Sequence, residues 1–132
     1  MSQENVEVVR KIYSDITRPD YEAGAEHLAA GVEWDTRARG SDGSIVYGVD
    51  SVAKVSREWL DAWEDVSFEL REIREAGDQI AAWIVQHGRG RGSGIAGELV
   101  WFASFGFSDA KVISYREYES WPEALKAVGL EG

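Results

Sequence analysis

The first sixteen residues place apolar side chains at the spacing of one helix face. The apolar positions lie mostly three or four residues apart: Val6, Val9, Ile12, Tyr13 and Ile16. Glu4 falls in the first turn, where the positive end of a helix dipole favours a carboxylate. This pattern predicts a first helix.

Two more helices and two short strands are predicted before Val66. Asp20 follows the turn residues Arg18-Pro19 and can cap a second, shorter helix that runs to about Ala30. The period then changes to two at Val32 and Trp34, which predicts a short strand, and a second short strand is predicted from Ile45 to Tyr47. A third helix is predicted from about Asp50, with an apolar stripe of Val52, Val55, Trp59, Ala62 and Trp63.

The remainder of the chain alternates in the manner of β-strands. Four strands are predicted at residues 66–76, 79–89, 95–107 and 111–119, and the short connections between them predict an antiparallel meander. Gly77-Asp78 and Ser108-Asp109-Ala110 are typical of tight turns, the second with alanine where glycine would be easier. Ser120, Pro122 and Glu123 predict the start of a final helix, which Gly129 ends.

Two of the predicted strands are apolar on both faces. Trp101 shares one face of its strand with Ala103, while Val100 and Phe102 occupy the other face, where Trp83 of the preceding strand also falls. In a small α+β domain the helices are expected to cover one face only. We therefore expect a homodimer in which a second copy covers the other face of the sheet.

The composition narrows the partners and excludes several function classes. The 132 residues are one domain's worth, and 14 basic against 24 acidic side chains give a formal charge of −10. A surface of this sign repels nucleic acid and anionic lipid, so neither is an expected partner. Cysteine is absent, which excludes disulfides and cysteine nucleophiles. The start of the chain has no signal-peptide pattern, so a cytoplasmic protein is expected.

The predicted order α-α-β-β-α-β-β-β-β-α resembles that of the nuclear transport factor two-like superfamily, and the sequence is most similar to its SnoaL-like branch. Four segments carry the resemblance: Glu4 to Arg10, Val32-Glu33-Trp34, Gly48 through Trp63, and Glu123-Ala124-Leu125 with Ala127 to Leu130. The resemblance implies a single α+β domain over residues 1–132, in which a curved antiparallel sheet wraps around the N-terminal helices as a cone with a deep pocket. Family members include polyketide cyclases, ketosteroid isomerases, epoxide hydrolases and dehydratases.

Asp35 is the candidate base that the resemblance implies. In isomerase-like relatives the base is an aspartate at the end of the first strand, a position that Asp35 matches here. An apolar cavity would raise the pKa of such a carboxyl toward the range useful for proton abstraction. The alternative is an exposed aspartate that pairs with Arg37 or Arg39.

The hydrogen-bond donors of those isomerases have no counterpart in this sequence. The position of their catalytic tyrosine carries Ile12, with Tyr13 adjacent, and the position of their second acid carries Ala103. Family cyclases use an acid on a long central strand, where this chain offers only Glu98, on the face opposite Ala103. The sequence thus argues against ketosteroid isomerase chemistry, because nothing is left to stabilise an enolate.

Neither histidine predicts a metal site, since His27 and His87 lie far apart without a carboxylate at ligand spacing. His27 is expected as a partly buried helix residue or, alternatively, as a pocket acid-base group. Gln86 shares the face of Ile84, which makes it a candidate pocket residue. The glycine-rich segment from Gly88 to Gly94 precedes a strand instead of opening a helix, so we interpret it as a hairpin loop and not as a dinucleotide motif.

Aromatic residues fall on every element expected to surround the cone. Together with His27 and Gln86 they form the predicted ligand-binding set: Tyr13, Trp34, Trp59, Trp63, Trp101 and Tyr115. This composition favours a small hydrophobic ligand and no cofactor. Two alternatives stay open at this point: an isomerase, cyclase or hydrolase of polyketide-, steroid- or terpenoid-like substrates with Asp35 as base, and a dimeric interaction module with a filled pocket.

Overall fold

The computed structural model describes residues 2–16 and 25–130. Its elements follow the predicted α+β order: α1 (Ser2–Ile16), β1 (Leu28–Asp35), a 3-10 helix (Arg37–Asp42), β2 (Ile45–Tyr47), α2 (Val49–Leu60), β3 (Trp63–Ala76), β4 (Gln79–Gly90), β5 (Ala96–Ser108), β6 (Lys111–Tyr118) and α3 (Trp121–Ala127). None of the described helices has the length and apolar character needed to cross a membrane.

The second predicted helix is the first difference from the sequence analysis. Most of it falls on residues 17–24, which lie outside the described part of the chain. Its predicted end is wrong, because Leu28 to Ala30 already belong to β1. Leu28 pairs there with Val112 of β6, so sheet pairing extends β1 toward the N-terminus by several residues.

Six strands form one curved, open sheet in the order β2-β1-β6-β5-β4-β3. The meander from β3 to β6 is antiparallel throughout, as predicted, and its registers place Ala82 opposite Ala103 and Ala103 opposite Glu117. The sequence did not predict the central β1 and β6 pair, which is parallel and brings Trp34 opposite Tyr115. This pair joins the N-terminal and C-terminal parts of the sheet.

The core lies between the concave face of the sheet and the helices α1 and α2. Val9 of α1 and Val52 of α2 are buried there against Ile84 and Phe105 of the central strands. Inward side chains of β4 and β5 are fully enclosed along most of their length, because alternation aims every second residue at the helices. The rest of this face, toward the ends of α1 and α2, is left for the site described below.

Trp63 begins β3 and does not continue α2 as predicted. The helix ends at Leu60, where Asp61 N–H donates to the Arg57 carbonyl over 2.9 Å. Trp63 then pairs with Gly90, and this is the first residue pair between β3 and β4. The spacing of four residues from Trp59 mimics a helical stripe, so periodicity alone could not separate the two structures.

The convex face of the sheet carries a covering helix of its own, which corrects the argument for an uncovered second face. Trp121 of α3 packs against Trp83 and Phe102, with ring centroids 5.9 and 6.3 Å apart. Leu125 of the same helix is buried against Ala81. Val100 stays 45% exposed, so only part of this apolar face is open. The homodimer stays a prediction, with a smaller apolar surface to support it.

The predicted chain signals around α3 and the last hairpin are confirmed. Ser120 Oγ accepts a hydrogen bond from Glu123 N–H over 3.3 Å, and Gly129 follows the helix at φ 86°. In the β5–β6 turn Ala110 holds φ 62°, a left-handed conformation in which glycine would be free of the Cβ clash. The helix start, the helix end and the tight turn that these residues predicted are therefore present in the structure.

Candidate functional site

A cavity of about 320 Å³ opens between the concave face of the sheet, α1, α2 and the 3-10 helix. Six of the eight predicted ligand-binding residues line it: Tyr13, Trp34, Trp59, Gln86, Trp101 and Tyr115. Phe68 of β3 and Val55 of α2 complete the apolar wall. The structure therefore brings the aromatic residues of six separate elements together around one space.

Trp63 and His27 are the two predicted residues that the cavity wall does not include. Trp63 packs behind Trp59, with their ring centroids 6.1 Å apart, and so supports the wall without forming it. His27 is half-buried just before β1, where its carbonyl oxygen accepts a hydrogen bond from Val112 N–H over 2.8 Å. Its placement at the edge of β1 separates it from the cavity.

The aromatic wall is fixed by ring contacts across strands and helices. Trp34 of β1 stacks on Tyr115 of β6 with centroids 4.0 Å apart and planes 19° from parallel. Trp59 of α2 meets Trp101 of β5 edge to face at 5.7 Å and 74°. Both geometries are among those that aromatic rings prefer, so the wall is held by packing before any ligand enters.

Gln86 places a side-chain amide on the cavity wall, and the oxygen of this amide already has a hydrogen-bond partner. Its side-chain oxygen Oε1 accepts a hydrogen bond from Trp59 Nε1 over 2.9 Å. Because an indole N–H can only donate, this contact fixes which end of the amide is the oxygen. The amide nitrogen Nε2 is buried and has no hydrogen-bond partner among the described residues. Gln86 lines the cavity and is only 2% exposed, so Nε2 is a buried donor whose hydrogen bond is not made by the described residues.

An ion pair that the sequence analysis did not predict closes the polar end of the cavity. Arg39 of the 3-10 helix donates from Nε to Glu117 Oε1 over 2.7 Å and from Nη2 to Glu117 Oε2 over 2.6 Å. Its guanidinium carbon also lies over the rings of Trp59 and Trp101, at 4.7 and 4.2 Å from their centroids. Arg39 lines the cavity, and the side chain of Glu117 behind it is 1% exposed.

Two tyrosines adjoin this pair and stay neutral in its field. Tyr115 donates its hydroxyl hydrogen to Glu117 Oε2, and Tyr13 lies on the same side of the cavity. Burial raises the pKa of both phenols, and the negative charge of Glu117 raises it further. Both hydroxyls therefore remain hydrogen-bond donors throughout the physiological range.

Asp35 ends β1 with its carboxylate outside the aromatic cavity. It accepts hydrogen bonds from the backbone N, Nε and Nη2 of Arg37 at 3.0, 3.0 and 2.8 Å. The side-chain bonds from Arg37 hold the pKa of Asp35 below its usual value, although burial acts in the opposite direction. Asp35 lines a separate surface hollow with Arg37 and Arg116. The predicted orientation toward the cavity is wrong, because alternation along β1 gives that place to Trp34.

The positions of the missing isomerase donors are apolar in space as well as in sequence. Ile12 is 5% exposed in the core and Ala103 is fully buried on β5. Glu117 stands directly opposite Ala103 in the β5–β6 register. A carboxylate that faces the concave side of the sheet thus exists beside Ala103, on β6 and not on β5 as the resemblance to isomerases implied. Glu98 lies on the convex face, as predicted, beside His87 at 3.2 Å.

The glycine-rich segment forms the connection between β4 and β5, as interpreted from the sequence. Arg91 donates from Nε to the Asp61 carbonyl over 2.8 Å, which ties the loop to the end of α2. Arg89 approaches Asp65 at 3.8 Å on the surface. Neither arginine lines the aromatic cavity. Within residues 2–16 and 25–130, no cluster of three or more potential metal-ligating side chains occurs.

The sequence matches the model of the SnoaL-like domain over residues 9–115. No curated protein of similar sequence was found.

Solved structures share the fold at low sequence identity. A hypothetical protein from Catenulispora acidiphila with a ketosteroid isomerase-like fold, in complex with trimethylamine, has a TM-score of 0.76 and 18% identity over 94% of this chain and 93% of that one. A candidate SnoaL-like polyketide cyclase from Jannaschia has a TM-score of 0.76 and 15% identity over 89% and 85%. The protein TerC, crystallised with polyporic acid, has a TM-score of 0.74 and 16% identity over 95% and 98%. These similarities establish the fold alone.

Proposed function

Since the chain belongs to the SnoaL-like domain family, we propose that its cavity binds a small, flat, largely apolar molecule that presents an oxygen acceptor to Gln86. The aromatic wall supports the apolar part of this proposal, because stacked and edge-on rings offer flat faces to a planar ligand. A volume of about 320 Å³ suits one or two fused rings.

The free amide nitrogen of Gln86 is the observation that carries the proposal. A buried donor without a partner loses the hydrogen bond that water would supply, so a ligand oxygen that restores this bond gains affinity. Trp59 holds the oxygen end of the amide in place, and that contact depends on no ligand. A carbonyl or phenolic oxygen on an aromatic frame is the simplest group with the required chemistry.

Two of the three similar structures support this class of ligand, whereas trimethylamine, the ligand of the third, has neither a ring nor an oxygen. Polyporic acid, with which TerC was crystallised, and the polyketide chemistry named for the Jannaschia protein both fit the description of an oxygen-bearing ring compound. The alternative of an isomerase, cyclase or hydrolase with Asp35 as base receives less support, because Asp35 is paired with Arg37 outside the cavity. A filled interaction module is disfavoured by the open volume.

The proposal is tested with two probes that differ by a single carbonyl, 1-tetralone and tetralin. Binding is measured by quenching of tryptophan fluorescence, since Trp34, Trp59 and Trp101 line the cavity. We expect 1-tetralone to bind more tightly than tetralin to the unmodified protein. In Gln86→Met the affinity for 1-tetralone should fall about fivefold, the equivalent of one hydrogen bond of about 1 kcal/mol.

Gln79→Met is the matched control, because Gln79 begins the same strand but is exposed. This control should leave both affinities unchanged. Tetralin measures any general distortion of the cavity by Gln86→Met, since it cannot accept a hydrogen bond. Equal losses for both probes would show that Gln86 acts by packing alone, and the absence of binding by either probe would contradict the proposal.

A further inference from the structure

The charged residues around the cavity are predominantly acidic. Asp42 at the end of the 3-10 helix and Glu58 in the last turn of α2 both line it, and both are exposed, so they lie at its rim. Neither makes an ion pair with another described residue. Arg39 is the one basic side chain among the described residues of the lining.

Arg39 does not offset this negative charge, because it is already neutralised. Glu117 holds two of its nitrogens at 2.6 and 2.7 Å, in the side-on geometry typical of strong arginine and carboxylate pairs. Tyr115 donates to the same carboxylate, which fixes the pair in place. The unbalanced charge at the cavity is therefore that of Asp42 and Glu58.

The aromatic wall already holds one cation and has further ring surface beside it. The guanidinium of Arg39 covers Trp59 and Trp101, within 5 Å of their ring centres, so a ligand is left with the other rings of the wall. The faces of indole and phenol rings carry negative charge density, which attracts positive groups over them. Trp34 and Phe68 add further aromatic surface to the same cavity.

We propose that the ligand of this cavity is an organic cation: an aromatic or otherwise flat molecule that carries an ammonium or similar group toward the rim formed by Asp42 and Glu58. The inference rests on the proposed function and deepens it by adding a charge to the ligand. The buried, unpartnered Gln86 amide supports a ligand in the same space; as a donor it contacts the oxygen acceptor of the ligand and not its cationic group. The formal charge of −10 on the whole chain favours the approach of a cation.

The test uses three soluble probes of nearly equal size and different charge: benzylammonium, benzyl alcohol and benzoate. Their dissociation constants are measured by tryptophan fluorescence at neutral pH and low ionic strength. We expect benzylammonium to bind the most tightly and benzoate the most weakly. Raising the salt concentration should weaken the binding of benzylammonium and leave that of benzyl alcohol unchanged, because salt screens charges at an exposed rim.

Asp42→Asn and Glu58→Gln each remove one rim charge with little change in shape. Each should lower the affinity for benzylammonium roughly threefold, which is the effect of a single exposed ionic contact. The affinity for benzyl alcohol should not change. Glu75→Gln is the matched control, because Glu75 is equally exposed on β3 but does not line the cavity.

The outcomes separate this inference from the proposed function. Preference for benzyl alcohol, or equal affinity for the cation and the neutral probe, would overturn the cationic ligand and leave the apolar cavity intact. Preference for benzoate would show that Arg39 offers its remaining N–H groups to anions, and would also overturn it. If 1-tetralone and all three benzyl probes fail to bind, the proposed function itself fails.

Discussion

Two arginines that lie two residues apart on the 3-10 helix make opposite kinds of ion pair. Arg37 binds Asp35, its neighbour two positions earlier, and its side chain is 61% exposed. Arg39 binds Glu117, which lies 78 positions later, and its side chain is 16% exposed. The same residue type on the same helix thus serves a local contact in one case and a long-range contact in the other.

The difference shows which of the two contacts builds the site. The Arg37 pair engages Asp35 in a surface hollow that is separate from the aromatic cavity. The Arg39 pair spans from the 3-10 helix to β6 and is covered by Trp59 and Trp101, so it closes one end of the cavity. Hydrogen-bond geometry does not distinguish the two pairs, because both are bidentate. The pairs differ in the exposure of the arginine side chain and in the sequence separation of the two partners.

The largest effect that would sharpen this comparison is expected from Arg39→Met. This change leaves Glu117 buried without its counter-ion, and loss of one partner from a buried pair typically costs about 3–5 kcal/mol. Arg37→Met should cost less, because Arg116 stays 3.8 Å from the Asp35 carboxylate and remains as a second positive charge beside it. Urea denaturation of both variants checks the prediction, and equal losses of unfolding free energy would contradict it.

A smaller effect is expected from Gly43→Ala, which acts on the path of the loop between the two arginines and β2. A Cβ at Gly43 would lie 2.0 Å from the Thr36 carbonyl oxygen, so the neck of this loop must open. We expect a loss of about 1–3 kcal/mol in the free energy of unfolding. The loss should be smaller when Arg39→Met is already present, because the displaced loop carries Arg39 with it.

Gly31→Ala is the control for that change, since a Cβ added at Gly31 would have no atom within 4 Å. The free energy of unfolding of this variant should stay close to that of the unmodified protein. Full additivity of Gly43→Ala and Arg39→Met would mean that the loop neck and the buried pair are independent.

Alkaline pH should lower the free energy of unfolding through Tyr115, which donates a hydrogen bond to Glu117 of the buried pair. The pKa of Tyr115 is raised above its ordinary value near 10, so the neutral phenol stabilises the folded state fully below about pH 10 and this contribution is lost as pH rises further. In Tyr115→Phe this part of the pH dependence should disappear. Urea unfolding curves across the alkaline range provide the measurement, and identical slopes for the two proteins would refute the assignment.

Acidic pH should act on the pair of Asp35 with Arg37, with the smallest effect of the series. The pKa of Asp35 lies below its unfolded value near 4, so its contribution is present above that value and is lost as pH falls toward the folded pKa. Asp35→Asn should therefore show a weaker loss of stability below about pH 4 than the unmodified protein. A variant with unchanged acid sensitivity would indicate that Arg37 contributes nothing through Asp35.

Much of the fold was predictable because its signals are local. Alternation predicted the four meander strands, and capping residues such as Ser120 and Gly129 predicted the final helix. The cavity aromatics were predictable because they share the inward parity of their elements. Trp63 was placed on the wrong element, since a spacing of four residues from Trp59 fits a helix whether or not the helix continues.

The polar part of the site could not be predicted from local signals. Nothing near Arg39 in the sequence points to Glu117, because their contact depends on the parallel pairing of β1 with β6. Asp35 is the opposite case, because its partner is local. The pairing with Arg37 was one of the two predicted possibilities, and the structure shows it. The other possibility, a base that faces the cavity, came from the resemblance to isomerases and does not fit the alternation along β1.

The parallel pairing of β1 with β6 also bears on the order in which the molecule assembles. The meander from β3 to β6 consists of neighbours in sequence and can form early, whereas β1 must close a loop of more than half of the chain before it docks. Docking of β1 brings in Trp34 and, through the following 3-10 helix, Arg39. Release of β1 would remove Trp34 and Arg39 from the cavity even if the meander persisted, so the binding site depends on the strand pairing with the largest sequence separation in the sheet.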